Sequence, residues 1–167
     1  MLYDQRYRSG ETRELLGLTC EQLAYMDSYR DGERDGTGWR KRSAMDLFRL
    51  MLSNQLAAHG IPVEQAVKIA HEIPVGRDDY IFCPGEDDPL REQLAAELFG
   101  RTLIARRDGT AWHPILHVSD GEDEPIEYYI SRSAVVIRLG PLGEDLIARI
   151  REHALGERGQ PGQEHNG

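Results

Sequence analysis

GETRELLGLTCEQLAYMD, residues 10–27, is the stretch on which the reading of this chain turns. Glu11 to Leu16 has the texture of a short helix, and Gly17 ends it, because glycine takes the left-handed conformation that a helix terminus favours. Thr19 opens a second helix. Gln22 follows at the spacing where a threonine hydroxyl and a glutamine amide each satisfy the other's backbone N–H. Leu23 and Met26 stand at i, i+3 and turn inward, which leaves Gln22 and Tyr25 on the outer side. Two short helices joined by a tight turn are therefore expected at the start of the chain.

Downstream, YRDGERDGTG (29–38) holds no apolar residue after Tyr29 and has the Asp-Gly chemistry of a loop. GWRKRS (38–43) then gathers Arg40, Lys41 and Arg42, the most basic short stretch of the chain. Ser43 and Asp46 form a second capping box ahead of Leu47, Phe48, Leu50, Met51, Leu52 and Leu56. That apolar stripe is wide enough to require packing on more than one side. Gly60 ends this helix, Pro62 suits the first turn of the next, and Val63, Ala66, Val67, Ala70 and Ile73 repeat at helical spacing until Pro74.

Beyond residue 75 the period changes. A loop at 75–79 leads to the apolar run YIFC (80–83), an acidic loop, and a helix from Pro89 to Phe99 that Gly100 stops. Thr102–Arg107 and Thr110–Val118 alternate as two strands joined at Asp108-Gly109, the residues a type I′ hairpin prefers. Pro114 cannot donate to a ladder, which puts the second strand at an edge. SDGEDEP (119–125) is a turn, and EYYISRSAVVIRL (127–139) offers one or two β-rich runs. Pro141 to Ala154 reads as a helix carrying Leu142, Leu146 and Ile150. GERGQPGQEHNG (156–167) has the composition of a disordered tail. The fold class expected is α+β, with a mainly helical unit over 1–75 and a small α+β domain with an antiparallel hairpin over 76–155.

The chain holds 20 basic and 29 acidic residues, a net charge of -9. The acidity belongs to the second half, since residues 1–75 hold 10 basic and 11 acidic side chains and residues 76–167 hold 10 and 18. This excludes non-specific coating of nucleic acid, whereas a local basic cluster in the first half can still hold a polyanion. The N-terminus lacks the apolar core of a signal peptide, and no run approaches the roughly 20 apolar residues of a bilayer span. A cytoplasmic protein without membrane contact is expected, with Cys20 and Cys83 as reduced thiols.

His113 and His117 share one strand face, but His-x-x-x-His suits metal binding on a helix, which Pro114 forbids here, so no metal site is expected. Glu86, Asp87, Asp88 and Asp120, Glu122, Asp123, Glu124 lack the alternating oxygen ligands of a calcium loop. The sequence has no nucleophile elbow, no phosphate-binding glycine loop and no paired catalytic carboxylates. Neither an enzyme nor a cofactor is expected.

The order of helix, glycine, capped helix, basic turn and longer capped helix resembles the DNA-binding domain of the MerR family. The matching residues are Gly17, Thr19, Leu23, Tyr25 and Asp27, then Trp39 and Arg40, then Ser43, Asp46 and Leu47, then Gly60 and Ile61. They span roughly residues 9–73, a domain-sized segment. The resemblance implies a winged helix-turn-helix whose second helix enters the major groove and whose wing touches the flanking backbone. The DNA-binding residues it implies are Thr19, Gln22, Tyr25, Arg30, Trp39, Arg40, Lys41 and Arg42. The chemistry of these residues suits those roles. The Thr19 cap presents N–H groups to a phosphate, Gln22 can pair with an adenine edge, and Tyr25 can donate to a phosphate. Trp39 anchors the wing, and Arg40, Lys41 and Arg42 follow the phosphate backbone. Thr19 and Gln22 are equally sufficient as a capping box alone.

Three residues depart from the family pattern. Ala24 stands where an arginine is usual, Met26 where a second aromatic is usual, and Arg42 where the wing has its second aromatic, so that Arg42 replaces the charge missing at Ala24. No long apolar heptad follows Ile73, and the chain is more similar to shorter MerR-type proteins whose second half is unrelated. The function expected is a sequence-specific regulator of transcription that binds double-stranded DNA as a homodimer through paired half-sites. The second domain would dimerise or receive a small-molecule effector or protein partner. The alternative is a protein-interaction adaptor that keeps the winged-helix scaffold without DNA binding. An enzyme would need a pocket around His113, Tyr128 and Tyr129.

Overall fold

Side chains close the first turns of the early helices, as the spacing implies. In the computed structural model, which describes residues 6–29, 41–73, 100–118 and 133–158, α1 (Ser9–Leu16) opens with the Glu11 carboxylate accepting the Arg8 N–H. In α2 (Cys20–Ser28) the Thr19 hydroxyl accepts from the Gln22 N–H at 3.1 Å while the Gln22 Oε1 accepts from the Thr19 N–H at 2.9 Å. In α3 (Ala44–Ala58) the same exchange joins Ser43 and Asp46. Pro62 is the N-cap of α4 (Val63–Glu72) and not a first-turn residue, and Ile73 is already extended, as a residue before proline prefers.

Gly17 makes the turn between α1 and α2 at φ 65°, ψ 32°, and the Leu18 N–H closes onto the Arg13 carbonyl at 3.0 Å. A Cβ at Gly17 would meet no atom within 4 Å, so the cost of Gly17→Ala is the left-handed backbone alone. About 1 kcal/mol is expected, measured as a lower denaturant midpoint at unchanged slope.

β1 (Arg101–Asp108), β2 (Ala111–Val118) and β3 (Ala134–Arg138) form an antiparallel sheet in the order β2-β1-β3. The last pair of the hairpin is Asp108 with Ala111, so the loop is Gly109-Thr110, one residue later than the sequence suggests. Gly109 has φ 59° and Thr110 does not have a positive φ, a pattern that fits a type II′ turn and not the expected I′ turn. β2 lies at the edge of the three described strands, with Pro114 opposite Ala105. The final helix, α5 (Leu139–Arg158), starts earlier and ends later than Pro141 to Ala154, with Pro141 in its first turn, and it includes 156–158 of the expected tail. Of the other expectations, the loop at 75–79, the run 80–83, the helix 89–99, the turn at 119–125, the β-run before 133 and the tail from 159 lie outside the described residues.

The fold is α+β. Leu103 and Ala105 of β1 turn the sheet toward the helices, with Leu116, Val135 and Ile137 beside them. Leu142, Leu146, Ile147 and Ile150 of α5 join the same buried cluster as Leu47, Phe48, Leu52 and Leu56 of α3, so residues from both halves of the chain share one core. Two polar contacts accompany it. Gln65 of α4 donates to the Thr110 carbonyl at 3.2 Å and accepts from the Trp112 N–H at 3.0 Å, and Arg149 of α5 donates to the Leu15 carbonyl at 3.2 Å. Among the described residues no helix is long and apolar enough to cross a membrane.

Candidate nucleic-acid interface

α2 divides cleanly by burial. Leu23 and Met26 face the core, while Glu21, Gln22, Ala24, Tyr25, Ser28 and Tyr29 face solvent. Thr19 and Gln22 stand exposed at the head of this face, with the Gln22 oxygen held by the cap. A glutamine in that state offers its amide N–H₂ outward as a donor, and a bidentate adenine contact, which needs oxygen and nitrogen together, would first release the cap.

At the other end of the face Tyr25 is 52 % and Tyr29 37 % exposed. Their rings meet edge to face, with centroids 5.1 Å apart and planes at 82°, and the Tyr29 hydroxyl donates to the Tyr25 hydroxyl at 3.0 Å. This pair holds the Tyr29 phenol above its ordinary pKa of 10.0, first through the hydrogen bond to Tyr25, then through desolvation and repulsion from Tyr25 and Glu64. Tyr29 is absent from the residues expected at the interface. Its i, i+4 spacing from Tyr25 was the available signal.

The basic turn is shorter in effect than its sequence. Lys41 is exposed, but Arg42 is 1 % exposed. Its guanidinium pairs with Asp27 at the end of α2 and donates to the Ser9 hydroxyl at 3.2 Å, while its backbone exchanges two hydrogen bonds with Tyr7, at 2.8 and 2.9 Å. Arg42 is thus an internal strut and not the outward phosphate contact that the run Arg40-Lys41-Arg42 suggested, nor a replacement for the charge missing at Ala24. The physical reason is the Tyr7–Arg42 bridge, which sets alternate side chains on opposite sides, so that Lys41 faces out and Arg42 in. Arg30, Trp39 and Arg40 lie outside the described residues.

Other chemistry is set apart from this face. His113 and His117 do share one face of β2, opposite Arg106 and Thr102 of β1, but four residues of strand hold them about 13 Å apart along the strand. Among the described residues no group of three His, Cys, Asp or Glu could hold a metal ion. Cys20 is a free, exposed thiol. Cys83, Tyr128, Tyr129 and the acidic clusters at 86–88 and 120–124 lie outside the described residues. A groove of about 730 Å³ between α1 and α5 is lined by Glu11, Glu14, Glu152, Arg149 and His153. Its carboxylates repel a phosphate backbone, which makes it a poor polyanion site.

The class that these features define is an α+β protein with a capped helix pair, an exposed polar and aromatic face on the second helix, and a buried Arg42–Asp27 pair that ties the residues just before α3 to that helix's end. Comparisons with protein-family models, with curated proteins and with solved structures find no match.

Proposed function

We propose that the protein is a MerR-like winged helix-turn-helix regulator of transcription that binds double-stranded DNA in the cytoplasm, without enzymatic activity. The observation that supports this reading best is the outward face of α2, where Gln22 and Tyr25 are exposed while the opposite side is buried in the core. A helix held rigidly from behind, with donors in front, suits insertion in a major groove about 12 Å wide. The Tyr7–Arg42 bridge forms the base of the wing, and Lys41, with Arg40, follows the phosphates. One such module reads few bases, so the working form is a homodimer on half-sites about 10 base pairs apart.

Salt-titrated binding to genomic DNA fragments, with sequencing of those retained, tests the reading: a recovered repeat supports it, and no retention at low salt sinks it. Replacing Arg40 and Lys41 together with alanine is expected to flatten the slope of log K against log salt by about 2, since each phosphate contact contributes about 0.9. An unchanged slope would remove the wing from the interface.

The second reading, a protein-interaction adaptor, is favoured by the burial of Arg42, which subtracts one cation from the exposed run. It expects no DNA retention at any salt and capture of a protein by the same face.

A further inference from the structure

Resting on the DNA-binding reading, we infer that Tyr29 is a positioning residue that holds the Tyr25 hydroxyl ready to donate to a DNA phosphate. A phenol has one hydrogen to give and lone pairs to receive. Tyr29 donates its hydrogen to the Tyr25 oxygen at 3.0 Å. The Tyr25 hydrogen then points away from Tyr29, and with half of Tyr25 exposed it points to solvent. An oxygen that accepts one hydrogen bond becomes a stronger donor of its own, and the receiving phosphate oxygen carries the charge that strengthens such a bond further.

The ring geometry fixes position as well as direction. An exposed tyrosine on a helix surface ordinarily samples more than one rotamer, and binding must then order it. The edge-to-face contact, at 5.1 Å and 82°, holds the Tyr25 ring before any partner arrives. The same turn carries Ala24, so the hydroxyl acts there without a charged neighbour at position 24. The raised pKa of Tyr29 agrees with this arrangement: its proton stays in place through neutral pH and is lost only as pH rises above the ordinary value of 10.0.

The test uses the full chain with a random-sequence DNA duplex as probe, because phosphate contacts do not depend on sequence. Binding is measured for the unaltered protein, Tyr25→Phe, Tyr29→Phe and the double variant, beside an ultraviolet titration of tyrosinate. Phenylalanine keeps each ring and removes only the hydroxyl. Tyr25→Phe is expected to weaken binding about fivefold and Tyr29→Phe about threefold, with no further loss when Tyr29→Phe is added to Tyr25→Phe. The tyrosine titration that Tyr29→Phe removes should move down in Tyr25→Phe. An equal loss from Tyr29→Phe in both backgrounds, or no loss from Tyr25→Phe, would overturn the positioning role while leaving DNA binding intact. Absence of binding by the unaltered protein would instead remove the DNA reading, and this role with it, even if the titration shows the hydroxyl pair.

Discussion

Arg42→Ala is expected to lower the stability of the chain by about 3 kcal/mol, the low end of what removing one partner of a buried ion pair costs. The estimate follows from the asymmetry of the pair. Arg42 is 1 % exposed and the Asp27 side chain 20 %, so after the substitution Asp27 recovers some water but not full hydration. The converse change, Asp27→Ala, leaves the more deeply buried guanidinium without its counter-charge and should cost more, about 4 kcal/mol. Arg42→Lys keeps the charge but cannot reach Asp27 and the Ser9 hydroxyl at once, and a loss near 1 kcal/mol is expected. Urea unfolding at constant slope measures all three.

Arg42 also separates structural from electrostatic roles in the basic turn. Because its charge is neutralised inside the protein, it displaces no counterion from DNA. In the proposed interface Arg42→Ala should weaken binding by misplacing the turn against α2 and leave the salt slope unchanged, whereas loss of Arg40 and Lys41 flattens it. A fall in slope for Arg42→Ala would mean that the guanidinium turns outward when DNA is bound.

How far the sequence was legible differs between elements. The Thr19–Gln22 and Ser43–Asp46 boxes and the inward turn of Leu23 and Met26 were readable because they depend on neighbours within one helical turn. The hairpin was readable as a hairpin, but its turn moved by one residue, since Asp108 can sit in a strand end as easily as in a turn and the pairing with Ala111 decides between them. Arg42 was misplaced for a different reason. Three consecutive cations look like one exposed patch, and only the Tyr7 bridge, 35 positions earlier in the chain, reveals that the third points inward. The partners of Arg42 at Asp27 and Ser9 are likewise non-local, and local spacing carries no sign of them.

Leu146→Ala in α5 is expected to cost about 3 kcal/mol, as deletion of a fully buried leucine side chain does in a core that collapses only partly. Leu146 is 0 % exposed and belongs to the cluster that also holds Phe48, Leu52 and Leu56 of α3 and Leu103 of β1. The distribution of that loss is the more telling quantity. If the shared core makes the two halves one cooperative unit, the amides of Leu52 in α3 and Ile104 in β1 exchange hydrogen only through the same global opening, and the substitution lowers both protection free energies equally. If the halves unfold separately, Ile104 loses protection and Leu52 keeps it. The contacts of Gln65 with the hairpin and of Arg149 with Leu15 favour the first outcome, because opening either half would strand polar groups of the other.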